Sequence, residues 1–382
     1  MNIIFTCGGT GGHINPAIAV ANEMRGRHPD CNILFVGAKG HMEENLVPKA
    51  GYNLVCLEIS GMSRGKSWNA IRKNVKNVAD TVKAVGHAKK IIRDFKPDVI
   101  LGTGGYACFP TLMAGSVMGV PTCIHESNAI PGLTTKLVAD RVDKVLIAFA
   151  ESAGQYKHPE RVETVGMPVR REFIYMSRQA ARTELGIGED PLVVSAFGSL
   201  GAKAMNEMMA DVFLLEKENG YPFRHIHATG SYGWEWMPEK VASKGVDLTA
   251  TQTIDMREYI YNMPTVMAAA DVIISRAGAG SCNEIAASGT PAVLIPSPNV
   301  AANHQEKNAR VLADRGGAML VLERECSPQK LYDEISGLLA DAARRDDMST
   351  ALRSWVVLDS AERICDIMEQ LVKDKKESAA DR

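Results

Sequence analysis

The chain has 382 residues, 46% of them hydrophobic and 23% charged, with a formal net charge of −2. That length suits two domains with buried cores, and the near-neutral charge excludes bulk electrostatic binding to nucleic acid. The cysteines (Cys7, Cys31, Cys56, Cys108, Cys123, Cys282, Cys326 and Cys365) form no CxxC pair and no metal-spaced cluster. They read as reduced thiols in a cytosolic protein.

The first run, Asn2-Ile3-Ile4-Phe5-Thr6, is short, apolar and of the β type, and Cys7-Gly8-Gly9-Thr10-Gly11-Gly12-His13 follows it. Asn15-Pro16 reads as a helix start, with asparagine as N-cap and proline in the first helical position. Strand, glycine loop and helix N-terminus together aim backbone N–H groups at one point. An anion or a hydroxyl-bearing substrate is favoured there, beside a histidine able to move a proton. Strand-like runs at Asn32–Val36, Asn53–Ile59, Asp98–Leu101, Thr122–His125 and Lys144–Ala148 then alternate with helical patterns at Pro16–Arg25, His41–Ala50, Trp68–Phe95, Thr111–Met118 and Gly132–Ala139.

The pattern restarts with strands at Leu192–Ala196, His225–Ala228, Asp271–Ser275, Ala292–Ile295 and Met319–Leu322, between helices at Lys203–Lys217, Ala279–Ser288, His304–Arg315 and Gln329–Ala340. Alternation of this kind predicts right-handed βαβ units and parallel sheets, in two successive α/β halves with a ligand held between them. The boundary is placed near Gly166-Met167-Pro168. A last helix, Ser360–Val372, precedes a charged tail, Lys373–Arg382, read as disordered. The N-terminus has no signal-peptide pattern and no apolar run reaches eighteen residues, so neither a leader nor a spanning helix is expected.

Met62–Lys96 holds ten basic residues against two acidic ones. Trp68, Ile71, Val75, Val78, Val82 and Val85 fall on one helical stripe. A basic amphipathic helix led by a tryptophan is suited to an anionic membrane surface, and the same stripe is equally suited to packing on a sheet. Both uses are compatible if the stripe docks on the core while Trp68 and the loop before it face lipid.

Four glycine loops follow strands: Gly8–His13, Gly102–Tyr106, Gly198–Ala202 and Arg276–Gly280. Two in each half predict helix N-termini converging on one ligand, for which a diphosphate is the natural guest. Gly61-Met62-Ser63-Arg64-Gly65-Lys66-Ser67 is one residue short of a Walker A loop, and Gly9-Thr10-Gly11 lacks the third glycine of a dinucleotide fingerprint. No DxD pair is present to hold a metal on a nucleotide diphosphate, so a leaving diphosphate would rely on dipoles and basic side chains. Ser275–Ala309 is dense in polar groups. Glu284, one turn into a helix, is placed either to accept two ribose hydroxyls or to complement the helix dipole. His304 and Gln305 open another helix as sugar readers or as caps.

At these residues the chain closely resembles the MurG family of peptidoglycan glycosyltransferases. The runs that carry the resemblance are Gly8–Pro16, Gly104-Gly105-Tyr106, His125-Glu126-Ser127-Asn128-Ala129, Gly166-Met167-Pro168-Val169-Arg170, Gly198–Ala202, Ser275–Ala279, His304-Gln305 and Asn308-Ala309. Together they cover nearly the whole chain in the family's order. Ser127, Met167, Phe197 and Tyr259–Met263 depart from the family's usual residues.

The resemblance implies a GT-B glycosyltransferase fold, an α/β architecture of two Rossmann-like domains with parallel sheets facing a central cleft. Residues 1–165 would form the acceptor- and membrane-facing domain, residues 166–355 the UDP-sugar-binding domain, residues 356–373 a helix returning to the first domain, and residues 374–382 the tail. The implied reaction is an inverting, metal-independent transfer of N-acetylglucosamine from UDP-N-acetylglucosamine to the C4 hydroxyl of undecaprenyl-diphospho-N-acetylmuramoyl-pentapeptide. That step makes lipid II from lipid I, at the inner face of the cell membrane, with no cofactor. Carried over by motif, Arg170 and Ser199 would meet the nucleotide and its phosphates, Ile260 uracil, Glu284 ribose, and Gln305 and Asn128 the sugar. Thr10, Gly11, Gly12, Gly104, Gly105 and Tyr106 would receive the acceptor diphosphate, with His13 as the base. Two other readings stay open: a UDP-N-acetylglucosamine 2-epimerase-like isomerase, and a non-catalytic UDP-sugar-binding protein.

Overall fold

The structure, a computed structural model, describes residues 1–59 and 68–380. It divides into two compact units, Met1–Val169 together with the chain from Val357 onward, and Arg170–Val356.

In the first unit β1 (Asn2–Thr6), α1 (Gly11–Arg27), β2 (Asn32–Ala38), α2 (Glu43–Lys49), β3 (Asn53–Leu57), α3 (Trp68–Phe95), β4 (Val99–Gly102), α4 (Cys108–Val117), β5 (Thr122–Glu126), α5 (Leu133–Val138), β6 (Lys144–Ile147) and β7 (Val162–Thr164) follow in order. The strands are all parallel, in the order β3-β2-β1-β4-β5-β6-β7. Period-two alternation along β1 sends Ile3 and Phe5 into the layer built with α1, and Ile4 into the opposite layer with Ala88 and Ile92 of α3 and Leu112 of α4. Helices thus cover both faces. The strand order reverses between β1 and β4, which opens a crevice at their carboxyl ends.

The second unit contains α6 (Glu172–Tyr175), α7 (Arg178–Leu185), β8 (Leu192–Ala196), α8 (Lys203–Glu218), β9 (Arg224–Ala228), α9 (Ser231–Trp234), α10 (Met237–Ser243), β10 (Ile254–Arg257), α11 (Met263–Ala269), β11 (Val272–Ser275), α12 (Ala279–Ser288), β12 (Ala292–Leu294), α13 (His304–Asp314), β13 (Ala318–Leu320), α14 (Pro328–Ala340) and α15 (Ala342–Trp355). Its parallel sheet runs β10-β9-β8-β11-β12-β13, with the reversal between β8 and β11. Its core holds a sealed polar chain. Glu216 Oε1 lies 2.7 Å from His225 Nδ1, and Ser195 Oγ lies 2.8 Å from His225 Nε2 and 2.6 Å from His227 Nδ1. None of the four side chains reaches solvent. Ser195, His225 and Glu216 have the order of a hydrolytic triad, but no substrate can reach them, so their role is to tie β8, β9 and α8 together. Burial first, and then the neighbouring His225, hold the His227 pKa well below the ordinary histidine value.

Three expectations are corrected. The first helix begins at Gly11, not Pro16. Thr10 is its N-cap, and the Thr10 carbonyl accepts from the amides of His13 and Ile14. Pro16 forfeits only the bond to the Gly12 carbonyl, and Thr103 Oγ1 donates to the His13 carbonyl at 2.7 Å. Residues 374–380 are helical, since the closing helix α16 runs Ser360–Ala380. Gln370 to Asp374 at 2.6 Å and Lys373 to Glu377 supply spacing-four support along it. Of the stripe on α3, Val85 packs against the core, but Val82 does not and is 68% exposed. The inward face there is Ala84, Ala88 and Ile92, half a turn round the helix. The part of the basic region in 60–67, and the Trp68 side chain, lie outside the described residues.

Candidate active site

The crevice of the first unit brings two glycine loops into contact. Gly8 donates its amide to the Gly104 carbonyl at 3.1 Å. A Cβ on Gly105 would stand 2.3 Å from the Gly8 carbonyl oxygen, and one on Gly104 would stand 2.5 Å from His13 Nδ1. Gly104 and Gly105 also have positive φ, +108° and +94° respectively, so glycine is required twice over. The amides of Thr10, Gly11 and Gly12 precede the first intrahelical bond of α1 and have no internal acceptor among the described residues. They lie at the positive end of a 17-residue helix.

His13 lies in the first turn of that helix, with Nδ1 3.0 Å from the Thr103 carbonyl oxygen. A carbonyl only accepts, so Nδ1 carries the proton, and the lone pair of the neutral ring lies on Nε2. This orientation is what a general base needs. Tyr106 is exposed beside the loop, its ring 6.0 Å from that of His41.

Asn128 follows β5 and is set by a buried carboxylate. Glu126 accepts from the Asn128 amide at 3.0 Å, from Asn128 Nδ2 at 3.1 Å, from the Gly132 amide at 2.8 Å and from Thr135 Oγ1 at 2.6 Å. The next-door His125 donates Nε2–H to the Gly166 carbonyl at 2.8 Å. Burial lowers its pKa and keeps it neutral.

In the second unit the loops after β8, β9 and β10 are stitched together. Ser231 donates its amide to the Ser199 carbonyl at 3.4 Å, and Gly230 donates to that of Glu258 at 3.0 Å. The turns that carry Ser199 and Ile260 therefore flank the Gly230–Ser231 turn on either side. Glu284 lies on α12 after β11, where burial pushes its carboxyl up to about 7, against a smaller opposing pull from Arg170. Arg170 is exposed, with its guanidinium carbon 5.0 Å from the Phe173 ring centroid. The Gln305 side-chain oxygen accepts the Ser297 amide at 2.8 Å, which fixes the amide orientation and leaves the nitrogen as its donor. Arg276 is committed elsewhere, paired with Glu323 at 2.5 Å and donating to the Ile295 carbonyl.

All these loops leave the carboxyl ends of parallel strands. His13, Thr10–Gly12, Gly104–Tyr106 and Asn128 share the first unit, while Arg170, Ser199, Ile260, Glu284 and Gln305 share the second. Glu43 lies outside every motif read from the sequence, whereas Thr103 and Glu126 lie in motifs singled out there without a role.

Residues 3–147 match the glycosyltransferase family 28 N-terminal domain and residues 192–371 its C-terminal domain. Over 376 residues the chain is 38% identical to a protein of Acetivibrio thermocellus, covering 98% of this chain and 99% of that one. That relative is named UDP-N-acetylglucosamine–N-acetylmuramyl-(pentapeptide) pyrophosphoryl-undecaprenol N-acetylglucosamine transferase. The chain belongs to the MurG family. Among solved structures, Acinetobacter baumannii MurG matches with a TM-score of 0.76 at 25% identity, covering 97% of this chain and 99% of that one. A Neisseria meningitidis UDP-GlcNAc 2-epimerase bound to UDP-GlcNAc shares the fold alone, with a TM-score of 0.66 at 15% identity and 97% and 100% coverage. The fold of this family member is therefore GT-B, and the chain is a glycosyltransferase.

Proposed function

We propose that the chain transfers N-acetylglucosamine from UDP-N-acetylglucosamine to the C4 hydroxyl of a lipid-diphosphate-linked N-acetylmuramoyl-pentapeptide, completing lipid II. Kinship with transferases of that name along nearly the full length carries the reading. The proton side of the chemistry rests on one observation, the Nδ1–H of His13 donated to Thr103.

In this reading the acceptor diphosphate lies on the amides of Thr10, Gly11 and Gly12, next to Gly104, Gly105 and Tyr106. His13 Nε2 takes the proton from the acceptor hydroxyl as that oxygen attacks the anomeric carbon. UDP leaves from the opposite face, which inverts the configuration. Ser199, Arg170 and the N-terminus of α12 stabilise its departing charge, while Glu284 and the Ile260 backbone hold ribose and uracil. Gln305 and Asn128 read the sugar. Base assistance is worth roughly 10²–10⁴-fold, and leaving-group stabilisation is of similar size.

The acceptor's lipid requires a membrane surface. No described helix is long and apolar enough to cross a membrane. Leu133 and Leu137, four apart on α5, are 60% and 53% exposed. Val117 at the end of α4 is exposed too, and α4 packs between α3 and α5. These exposed apolar side chains and Val82, with the exposed cations Lys83, Lys136 and Arg141 on the same unit, support peripheral binding to anionic lipid. The deciding assay follows UDP release from UDP-N-acetylglucosamine with and without a lipid-linked muramoyl acceptor. Release only with acceptor supports the transferase. Epimer formation from donor alone supports the isomerase, and tight UDP binding without turnover supports a binding protein.

A further inference from the structure

Glu43 is wholly buried in the first turn of α2. Its Oε2 accepts the Gly9 amide at 3.0 Å and its Oε1 accepts the Ala38 amide at 2.8 Å. The side chain fills the space that two glycines leave open. A Cβ on Gly8 would lie 2.3 Å from Oε1, and one on Gly37 would lie 2.6 Å from Cγ. Both partners are donors, so the position needs two acceptors. A carboxylate supplies them, whereas a glutamine would turn an NH₂ toward one of the two amides. The anion is balanced by those amides and by the helix start, with no cation in contact among the described residues.

Placing a negative charge under a loop that receives a diphosphate is unfavourable in itself, so the carboxylate must act through geometry. By taking the Gly9 amide out of play, it holds the turn that leads into the next amides, Thr10 to Gly12, which have no internal acceptor among the described residues. We propose that Glu43 is a positioning residue for the acceptor side, fixing the Gly8–Thr10 turn without touching substrate. This rests on the reading that Thr10–Gly12 hold the acceptor diphosphate.

The test is steady-state kinetics of the full chain with UDP-N-acetylglucosamine and a lipid-linked muramoyl acceptor, alongside UDP affinity by calorimetry. E43Q is expected to lower kcat/KM for the acceptor by about ten- to a hundredfold, the loss of one charge-assisted bond. UDP affinity should stay within about twofold, and E43D, which keeps two acceptor oxygens, should recover part of the loss. An acceptor kcat/KM within twofold of wild type in E43Q overturns the proposal, and so does a parallel fall in UDP affinity.

G12A separates the two layers, because its added methyl meets nothing closer than Thr10 Oγ1 at 3.7 Å. An acceptor KM unmoved in G12A overturns the loop assignment and this proposal with it. A KM raised in G12A but unmoved in E43Q overturns the proposal alone. If E43Q does not fold, hydrogen exchange on the unaltered protein still decides. The Gly9 amide should exchange much more slowly than those of Thr10, Gly11 and Gly12, and equal rates overturn the claim.

Discussion

Glu284 offers the sharpest test, because function and stability pull its carboxyl in opposite directions. Burial places its pKa at about 7, against an ordinary value of 4.5. The folded state therefore favours the protonated acid. Below the unfolded pKa the group is protonated in both states and costs nothing. As pH rises from there through the folded pKa, the native protein must ionise a partly buried acid. The accumulated cost is at most about 3 kcal/mol, from roughly 1.36 kcal/mol for each of the two and a half pH units. In the role proposed for Glu284, the ionised form suits the ribose hydroxyls, since a carboxylate accepts from both.

If only that form binds, affinity for UDP-N-acetylglucosamine should fall about tenfold at pH ~6 relative to pH ~8. E284Q removes the partly buried charge but retains a single acceptor oxygen. It should gain up to about 3 kcal/mol in urea denaturation at pH ~8, gain almost nothing at pH ~4, and bind the donor about ten- to a hundredfold more weakly with little pH dependence. Calorimetry and denaturation on the same two proteins test both halves. A variant no more stable than wild type at pH ~8, or a wild-type affinity flat between pH ~6 and ~8, refutes the reasoning.

H13A should lower kcat by about 10²–10⁴-fold with UDP affinity unchanged, and unaltered turnover removes His13 from the base role. Glu216→Ala leaves His225 without its buried partner and should cost about 3–5 kcal/mol, measured by urea denaturation. A loss under about 1 kcal/mol would mean that the polar chain in the second core is dispensable. Replacing both Leu133 and Leu137 with glutamate should reduce co-sedimentation with anionic vesicles while UDP binding is retained. Equal sedimentation would place the lipid contact elsewhere.

What could be read from the residues alone was what is encoded locally. Alternating apolar runs and helical periods marked the parallel α/β halves, and each glycine loop followed a strand that the structure places at a sheet reversal. The kinship of the chain was legible for the same reason, since its motifs are short and contiguous. Partners distant in sequence were not legible. Nothing near His13 announces that the Thr103 carbonyl, 90 residues on, selects its tautomer. Nothing in the sequence marks Glu43, which the fold brings against Gly9, 34 residues before it.

The orientation of α3 also escaped the sequence, because an amphipathic stripe states only that a face is apolar. Whether that face meets a sheet or solvent depends on how Ala84, Ala88 and Ile92 seat against α4 and the strands. The sequence by itself determined the elements, the loops and the family. The tertiary structure decided which nitrogen of His13 holds the proton and which amides of the glycine loop have an internal acceptor. It also decided which carboxylates are buried, since hydrogen-bond direction and desolvation exist only once distant segments pack.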